Sequence, residues 1–168
     1  HGDARKAIDL FRGAGDLADE RGDGEVTEKH VRESQEEIDK DRSLKLVEGL
    51  TTQKKISLYA TAAVTHYSNR AGSSVPSPVG FKIYRWVTNE LDADQMTRET
   101  YVKYVKELST YGLISSSRKS RGRGGGTFTG DPEAIMARIA DDTRLEAMAD
   151  QEELLKLVVN AQLKEFRE

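Results

Sequence analysis

Basic side chains gather in one short stretch of this 168-residue chain, between positions 118 and 123. Its cations are Arg118, Lys119, Arg121 and Arg123, with no acidic residue among them. Glycines stand within the stretch and directly after it, at 122 and 124–126. Arginine and lysine bind phosphate oxygens, a narrow minor groove attracts arginine, and glycine lets the backbone approach a polyanion closely. The combination predicts a loop that contacts duplex DNA. The alternatives are a flexible connection and an Arg-Gly segment that binds RNA without a fold.

A second group of cations precedes this loop, within residues 97–111. Tyr101, Val105 and Leu108 recur at helical spacing, so we expect a helix that buries this face, with Thr97 as its cap. Candidate contacts to phosphates or base edges on this helix are Arg98, Thr100, Lys103 and Lys106. Taken alone, Lys103 and Lys106 would be read as an ordinary solvated helix face.

The elements that must position both groups are mostly helical. Apolar residues at helical spacing predict one helix from about Thr51 to Tyr67 and another through Ile83, Tyr84, Val87 and Leu91, with residues 68–78 as a loop. Short β-capable runs at 113–116 and 127–129 flank the basic loop and predict a β-hairpin. Three helices followed by a basic hairpin is the order of a winged helix, in which one helix enters the major groove and the hairpin, or wing, contacts the flanking backbone.

Both flanks of this region are helical and acidic. Residues 1–48 hold nine basic and fourteen acidic residues, 49–129 hold twelve and five, and 130–168 hold five and ten. Spaced apolar residues predict helices at about 3–21 and 27–41, and the segment from Asp131 ends in a helix with Leu154, Leu155, Val158 and Phe166. The fold class is therefore predicted as mostly α with one small β-hairpin. Pairing of the basic middle with its acidic flanks is an alternative explanation of the charge pattern.

Several function classes are excluded by what the sequence lacks. There is no cysteine, no apolar run of the roughly 20 residues that cross a bilayer, and no phosphate-loop or nucleophile-elbow motif. His1, His30 and His66 are too far apart for a local metal motif, and Trp86 is expected to pack rather than stack on a base. We expect no catalytic residue, no metal site and no membrane partner, and a cytoplasmic, nucleoid-associated protein.

Four segments, taken in order, carry a family resemblance. They are HGDARKAIDL at 1–10, VTEKHV at 26–31, LTTQKK at 50–55 and LSTYGLI at 108–114. The first is similar to the second-sensor helix in the lid of AAA+ ATPases. The ordered set resembles the archaeal replication initiators of the origin-recognition and cell-division-control family.

The resemblance implies an ATPase core, a helical lid and a C-terminal winged helix that binds duplex DNA at replication origins. It divides the chain into a lid remnant at 1–47, a winged-helix domain at 48–130 and a helical extension at 131–168. Arg5 would be the second-sensor arginine that reaches the phosphates of a bound nucleotide. ATP or ADP with magnesium would belong to the full-length protein, and this fragment would hold no cofactor and perform no hydrolysis. Other initiator subunits and the replicative helicase are further implied partners.

Two other functions stay open at this point. A winged-helix transcriptional regulator would need an effector pocket or a dimer helix, and the last helix, with Leu154, Leu155 and Val158, is suited to the latter. A winged helix used as a protein-docking module would hold an acidic partner with the basic hairpin and ignore DNA.

Overall fold

The computed structural model describes residues 2–68, 74–117, 125–128 and 130–167. Their contacts divide the chain into two compact units, residues 1–45 and 46–168. Across the described ranges, no helix combines the length and the apolar character needed to cross a membrane.

The first unit consists of two helices. These are α1, Gly2–Arg21, and α2, Glu28–Glu48, whose last turn extends into the second unit. Gly13 lies so close to Ser34 that a Cβ atom would collide with the Ser34 hydroxyl, which donates a hydrogen bond to the Leu10 carbonyl over 3.0 Å. Ala14 and Ala18 are buried along the same side of α1. Small residues therefore allow the two helices to approach closely.

The apolar face of α1 is buried in its second half alone. Ile8 and Phe11 remain 59% and 63% exposed, whereas Ala14 and Ala18, farther along α1, are buried. The predicted second helix was too short, since α2 continues for seven residues beyond Asp41. Neither glycine nor proline interrupts it before Gly49.

The second unit is built around α3, Thr52–Tyr67, in which every residue from Lys55 to Val64 is buried. Around it lie α4, Ser77–Glu90, α5, Arg98–Thr110, α6, Pro132–Ala140, and α7, Glu152–Arg167. A short 3₁₀ helix, Glu146–Gln151, leads into α7. Ion pairs join the segment from Asp131 onward to the earlier helices, among them Lys55 to Asp142, Lys82 to Glu165 and Arg138 to Glu48, each at 2.8 Å. The segment from Asp131 onward thus belongs to the same compact unit as α3 and α4.

Three short strands complete the described part of this unit. They are β1, Val75–Pro76, β2, Ile114–Ser117, and β3, Gly125–Phe128, and the antiparallel sheet has the order β1-β3-β2. Ile114 pairs with Phe128 and Ser117 with Gly125, as a hairpin requires. The predicted mostly α fold with a small β-hairpin is confirmed. The reading of residues 68–78 as a loop was wrong for β1 and for Ser77 and Pro78, which begin α4. Pro76 is tolerated in β1 because β1 is an edge strand.

Candidate nucleic-acid interface

Helix α5 carries the cations that the sequence analysis selected. Tyr101 and Leu108 are buried on its inner side and Val105 is half-buried, so the predicted inward face is observed. Arg98, Lys103 and Lys106 are exposed. α5 therefore presents three cations away from the core.

Thr100 is in a different environment from these cations. The Thr97 hydroxyl oxygen accepts a hydrogen bond from the Thr100 N–H over 3.3 Å, and the two hydroxyls lie 3.1 Å apart. The Thr100 side chain thus takes part in the helix cap, which satisfies an otherwise unpaired backbone donor at the start of α5. Its hydroxyl has to leave this contact, or share it, to reach a base.

The side chains of Tyr84 and Gln53 hold the turn between α4 and α5. The Tyr84 hydroxyl donates to Gln53 Oε1 over 2.7 Å and accepts from the Met96 N–H over 3.0 Å. Gln53 Nε2 in turn donates to the Asp94 carbonyl over 2.7 Å. α3, α4 and the turn before α5 are therefore joined by one hydrogen-bond chain, which sets the direction of α5. The order of α4, turn and α5 is that of a helix-turn-helix.

A pair of opposite charges lies beside the exposed cations of α5. Lys54 Nζ lies 2.7 Å from Glu107 Oε2 and 5.4 Å from the centre of the Tyr104 ring. The hydrogen bond from Lys54 holds the pKa of Glu107 below its ordinary value, and the positive charge of Lys103 acts in the same direction. The same hydrogen bond raises the pKa of Lys54. Glu107 is therefore a carboxylate at neutral pH and offsets part of the positive charge of α5.

The β-hairpin follows α5 with one tight connection. Gly112 has a positive φ of 78°, and the Leu113 N–H donates to the Leu108 carbonyl over 3.2 Å, as in a glycine-terminated helix. Strands β2 and β3 then place residues 117 and 125 opposite each other. The predicted wing residues Arg118, Lys119, Arg121 and Arg123 lie outside the described residues, so their contacts stay a prediction.

The remaining candidates are far from this helix in sequence. Arg5 is exposed on α1 of the first unit. His30 is buried, and its Nε2 lies 3.0 Å from Asp23 Oδ2 while its Nδ1 accepts a hydrogen bond from the Thr27 N–H over 3.1 Å. Among residues 2–68, 74–117, 125–128 and 130–167, no three histidine or acidic side chains form a group that could hold a metal ion.

Sequence reasoning missed four residues that shape the interface: Gln53, Lys54, Tyr84 and Glu107. Lys54 and Glu107 are 53 positions apart, and Gln53 and Tyr84 are 31 apart. No periodicity links residues at such separations, so the pattern alone carried no signal for these pairs.

Comparison with known proteins adds family information to this geometry. A family model described as the Cdc6 AAA+ ATPase-type lid domain matches residues 1–36, and one described as the CDC6 C-terminal winged helix domain matches residues 45–129. The chain is similar to ORC1-type DNA replication protein 5 of Halobacterium salinarum, at 74% identity over 100% of the chain and 40% of that protein. It is 52% identical to ORC1-type DNA replication protein 14 of Haloarcula marismortui, over 100% of the chain and 41% of that protein.

A solved structure is also similar. It is described as the Aeropyrum pernix ORC1 protein in complex with DNA, and it matches with 27% identity and a TM-score of 0.69 over 88% of this chain and 39% of that one. The chain therefore spans about 40% of the length of the relatives it matches.

Proposed function

The chain belongs to the Cdc6 and ORC1-type family of DNA replication proteins, and we propose that its winged helix binds duplex DNA at replication origins. The observation that carries the proposal is α5, the second helix of a helix-turn-helix, with Arg98, Lys103 and Lys106 exposed. The DNA complex of the similar Aeropyrum pernix ORC1 protein gives further support.

In the proposed complex α5 lies in or beside the major groove. Lys103 and Lys106 neutralise phosphates or donate to base edges, and Arg98 contacts the backbone from the first turn of the helix. The wing reaches the flanking backbone or minor groove through Arg118, Lys119, Arg121 and Arg123. Phosphate contacts supply affinity, and contacts to base edges supply any preference for an origin sequence.

The test is fluorescence anisotropy of a labelled origin-derived duplex and of a scrambled duplex, over a series of salt concentrations. We expect binding that prefers the origin duplex, and we expect Lys103→Ala/Lys106→Ala to weaken it with a log–log salt slope shallower by about 2. Lys156→Ala, which removes an exposed lysine of α7, is the matched control and should leave the slope unchanged. If the double variant shows the same salt slope as the unmodified chain, Lys103 and Lys106 do not contact the phosphates and α5 is not part of the interface. Equal affinity for both duplexes would leave DNA binding but overturn origin preference.

The lid and the ATPase activity form a separate part of the proposal. We propose that residues 1–47 act as a lid, 48–130 as the winged-helix domain and 131–168 as its helical extension. In the full-length protein, an ATPase core would bind ATP or ADP with magnesium, and Arg5 would approach the nucleotide phosphates. Arg5→Ala in the full-length protein should weaken nucleotide binding, and an unchanged nucleotide affinity would contradict that role. Other initiator subunits and the replicative helicase stay predicted partners.

A further inference from the structure

Helix α7 has apolar residues on two opposite sides. Leu155, Val159 and Leu163 are buried toward the core of the second unit. On the other side, Leu154 and Leu157 are 44% and 67% exposed, and the exposed Ala161 continues the same line. The spacing of three and four residues places Leu154, Leu157 and Ala161 in one row, here called the outer strip. A single exposed leucine is ordinary, but a row of apolar side chains opposite the buried face calls for a partner.

The charges beside the outer strip change sign along α7. Glu153 stands beside it in the first turn of α7, and Lys164 stands beside it in the last turn. Glu165 follows Lys164 in the chain but is already paired with Lys82 at 2.8 Å. Glu153 and Lys164 are eleven residues apart, about three helical turns, so they lie along the same side of the outer strip.

We propose that the outer strip is a self-association surface, on which α7 of a second copy packs in the antiparallel direction. In that arrangement Leu157 of each copy packs near Ala161 of the other. Glu153 of each copy then faces Lys164 of the other, so the same charge pair forms twice, as two-fold symmetry requires. In a parallel two-fold pair, Glu153 and Lys164 of one copy would lie on the opposite flank from those of the other, so no Glu153–Lys164 pair would form between copies. The charges of α7 are therefore complementary to a reversed copy of α7 itself, which favours a second copy as the occupant.

The expected association is weak and concentration-dependent. A helix of 16 residues is about 24 Å long. One such pair of helices buries less than the roughly 1,600 Å² of a standard protein interface. The exposed charge pairs contribute little to affinity and mainly select the antiparallel direction over the parallel one.

The test is sedimentation velocity of the 168-residue chain over a range of protein concentrations. We expect a monomer–dimer equilibrium, and Leu157→Asp should raise its dissociation constant at least tenfold. Glu153→Lys and Lys164→Glu should each weaken the dimer, because each places like charges opposite one another twice. The double variant Glu153→Lys/Lys164→Glu should regain the original dimerisation, since it restores both pairs with their signs exchanged.

Lys156→Glu is the matched control for Lys164→Glu, because it makes the same charge change at an exposed residue of α7 that lies about 100° round the helix from Leu157. It should dimerise like the unmodified chain, and circular dichroism should show that all variants keep their helices. A monomer at every concentration would overturn the proposal. The proposal would also be overturned if neither single charge reversal weakened the dimer, or if the double variant failed to regain dimerisation.

Discussion

The Tyr84 hydroxyl donates a hydrogen bond to Gln53 Oε1 over 2.7 Å, and this contact joins α4 to α3 beneath the turn that leads into α5. Because the same hydroxyl accepts the Met96 N–H, one buried oxygen contacts both α3 and the turn that leads into α5. Burial raises the pKa of Tyr84, while the Met96 N–H lowers it. The direction of α5 thus depends on residues that need not touch DNA.

Tyr84→Phe tests this dependence. The substitution leaves the Met96 N–H without its acceptor and should lower the free energy of unfolding by about 1–3 kcal/mol, measured by urea denaturation. DNA affinity should fall because α5 is less well positioned, but the log–log salt slope should not change, since no cation is lost. Tyr111→Phe, at an exposed tyrosine, is the control and should alter neither quantity. A shallower salt slope for Tyr84→Phe would show that Tyr84 acts through phosphate contacts.

Gly80→Ala should destabilise the second unit. A Cβ atom at position 80 would collide with the Tyr101 hydroxyl, which is buried, shares a hydrogen bond with Thr61 and has a pKa raised to about 12 by burial. We expect a loss of about 1–3 kcal/mol in urea denaturation, as for other overpacked cores. Adding Tyr101→Phe removes the colliding oxygen and should recover part of the loss.

Gly15→Ala is the matched control, because no atom lies within 4 Å of its added Cβ. It should stabilise α1 by about 0.5–1 kcal/mol, since alanine favours helices over glycine. A loss at position 15 equal to that at position 80 would contradict the steric explanation.

The pair formed by Lys55 and Asp142 predicts a loss of stability in acid. The hydrogen bond from Lys55 lowers the pKa of Asp142, and the Arg144 N–H acts in the same direction. A carboxyl group with a lowered pKa stabilises the folded chain at pH values above its ordinary pKa of about 3.9. This contribution disappears as the pH falls through the lower pKa that the group has in the folded chain. Asp142→Asn should therefore be less stable near neutral pH and show a weaker dependence on pH below about 4. Urea midpoints over a pH series measure this, and parallel curves for both proteins would refute it.

Glu107→Gln should strengthen DNA binding. The substitution removes a carboxylate beside Lys103 and releases Lys54 from its ion pair, so the exposed surface of α5 becomes more positive. We expect a tighter dissociation constant in the anisotropy assay and a salt slope steeper by up to about 1. Glu133→Gln removes an exposed carboxylate from α6 and should have no effect. If Glu107→Gln leaves the DNA affinity unchanged, the side of α5 that carries Glu107 does not face the duplex.

The wing prediction concerns Arg121 and Arg123, whose contacts the structure does not describe. If both bind phosphates or the minor groove, Arg121→Ala/Arg123→Ala should make the salt slope shallower by about 1–2. Arg12→Ala, on the exposed side of α1, is the control for the loss of a positive charge. If this double variant leaves the salt slope unchanged, the basic hairpin does not bind the duplex and must bind a partner other than DNA.

Local features of the sequence were sufficient to predict the helices that form the candidate interface. Helical spacing and the Thr97 cap predicted a helix at 97–111, and α5 spans Arg98–Thr110. The same reasoning predicted a helix at about 51–67, and α3 spans Thr52–Tyr67. These signals act over three or four residues, so they can be read from one segment at a time.

The sequence by itself determined most of the helices, the hairpin and the family resemblance, although it left α2 too short and missed β1. Tertiary structure alone decided that Gln53 and Tyr84 fix the turn before α5 and that Lys54 pairs with Glu107. It also decided that the apolar row at Leu154 and Leu157 remains exposed while Leu155 is buried. Amphipathic spacing reports that a helix has an apolar side, but which side is covered depends on neighbours that are distant along the chain.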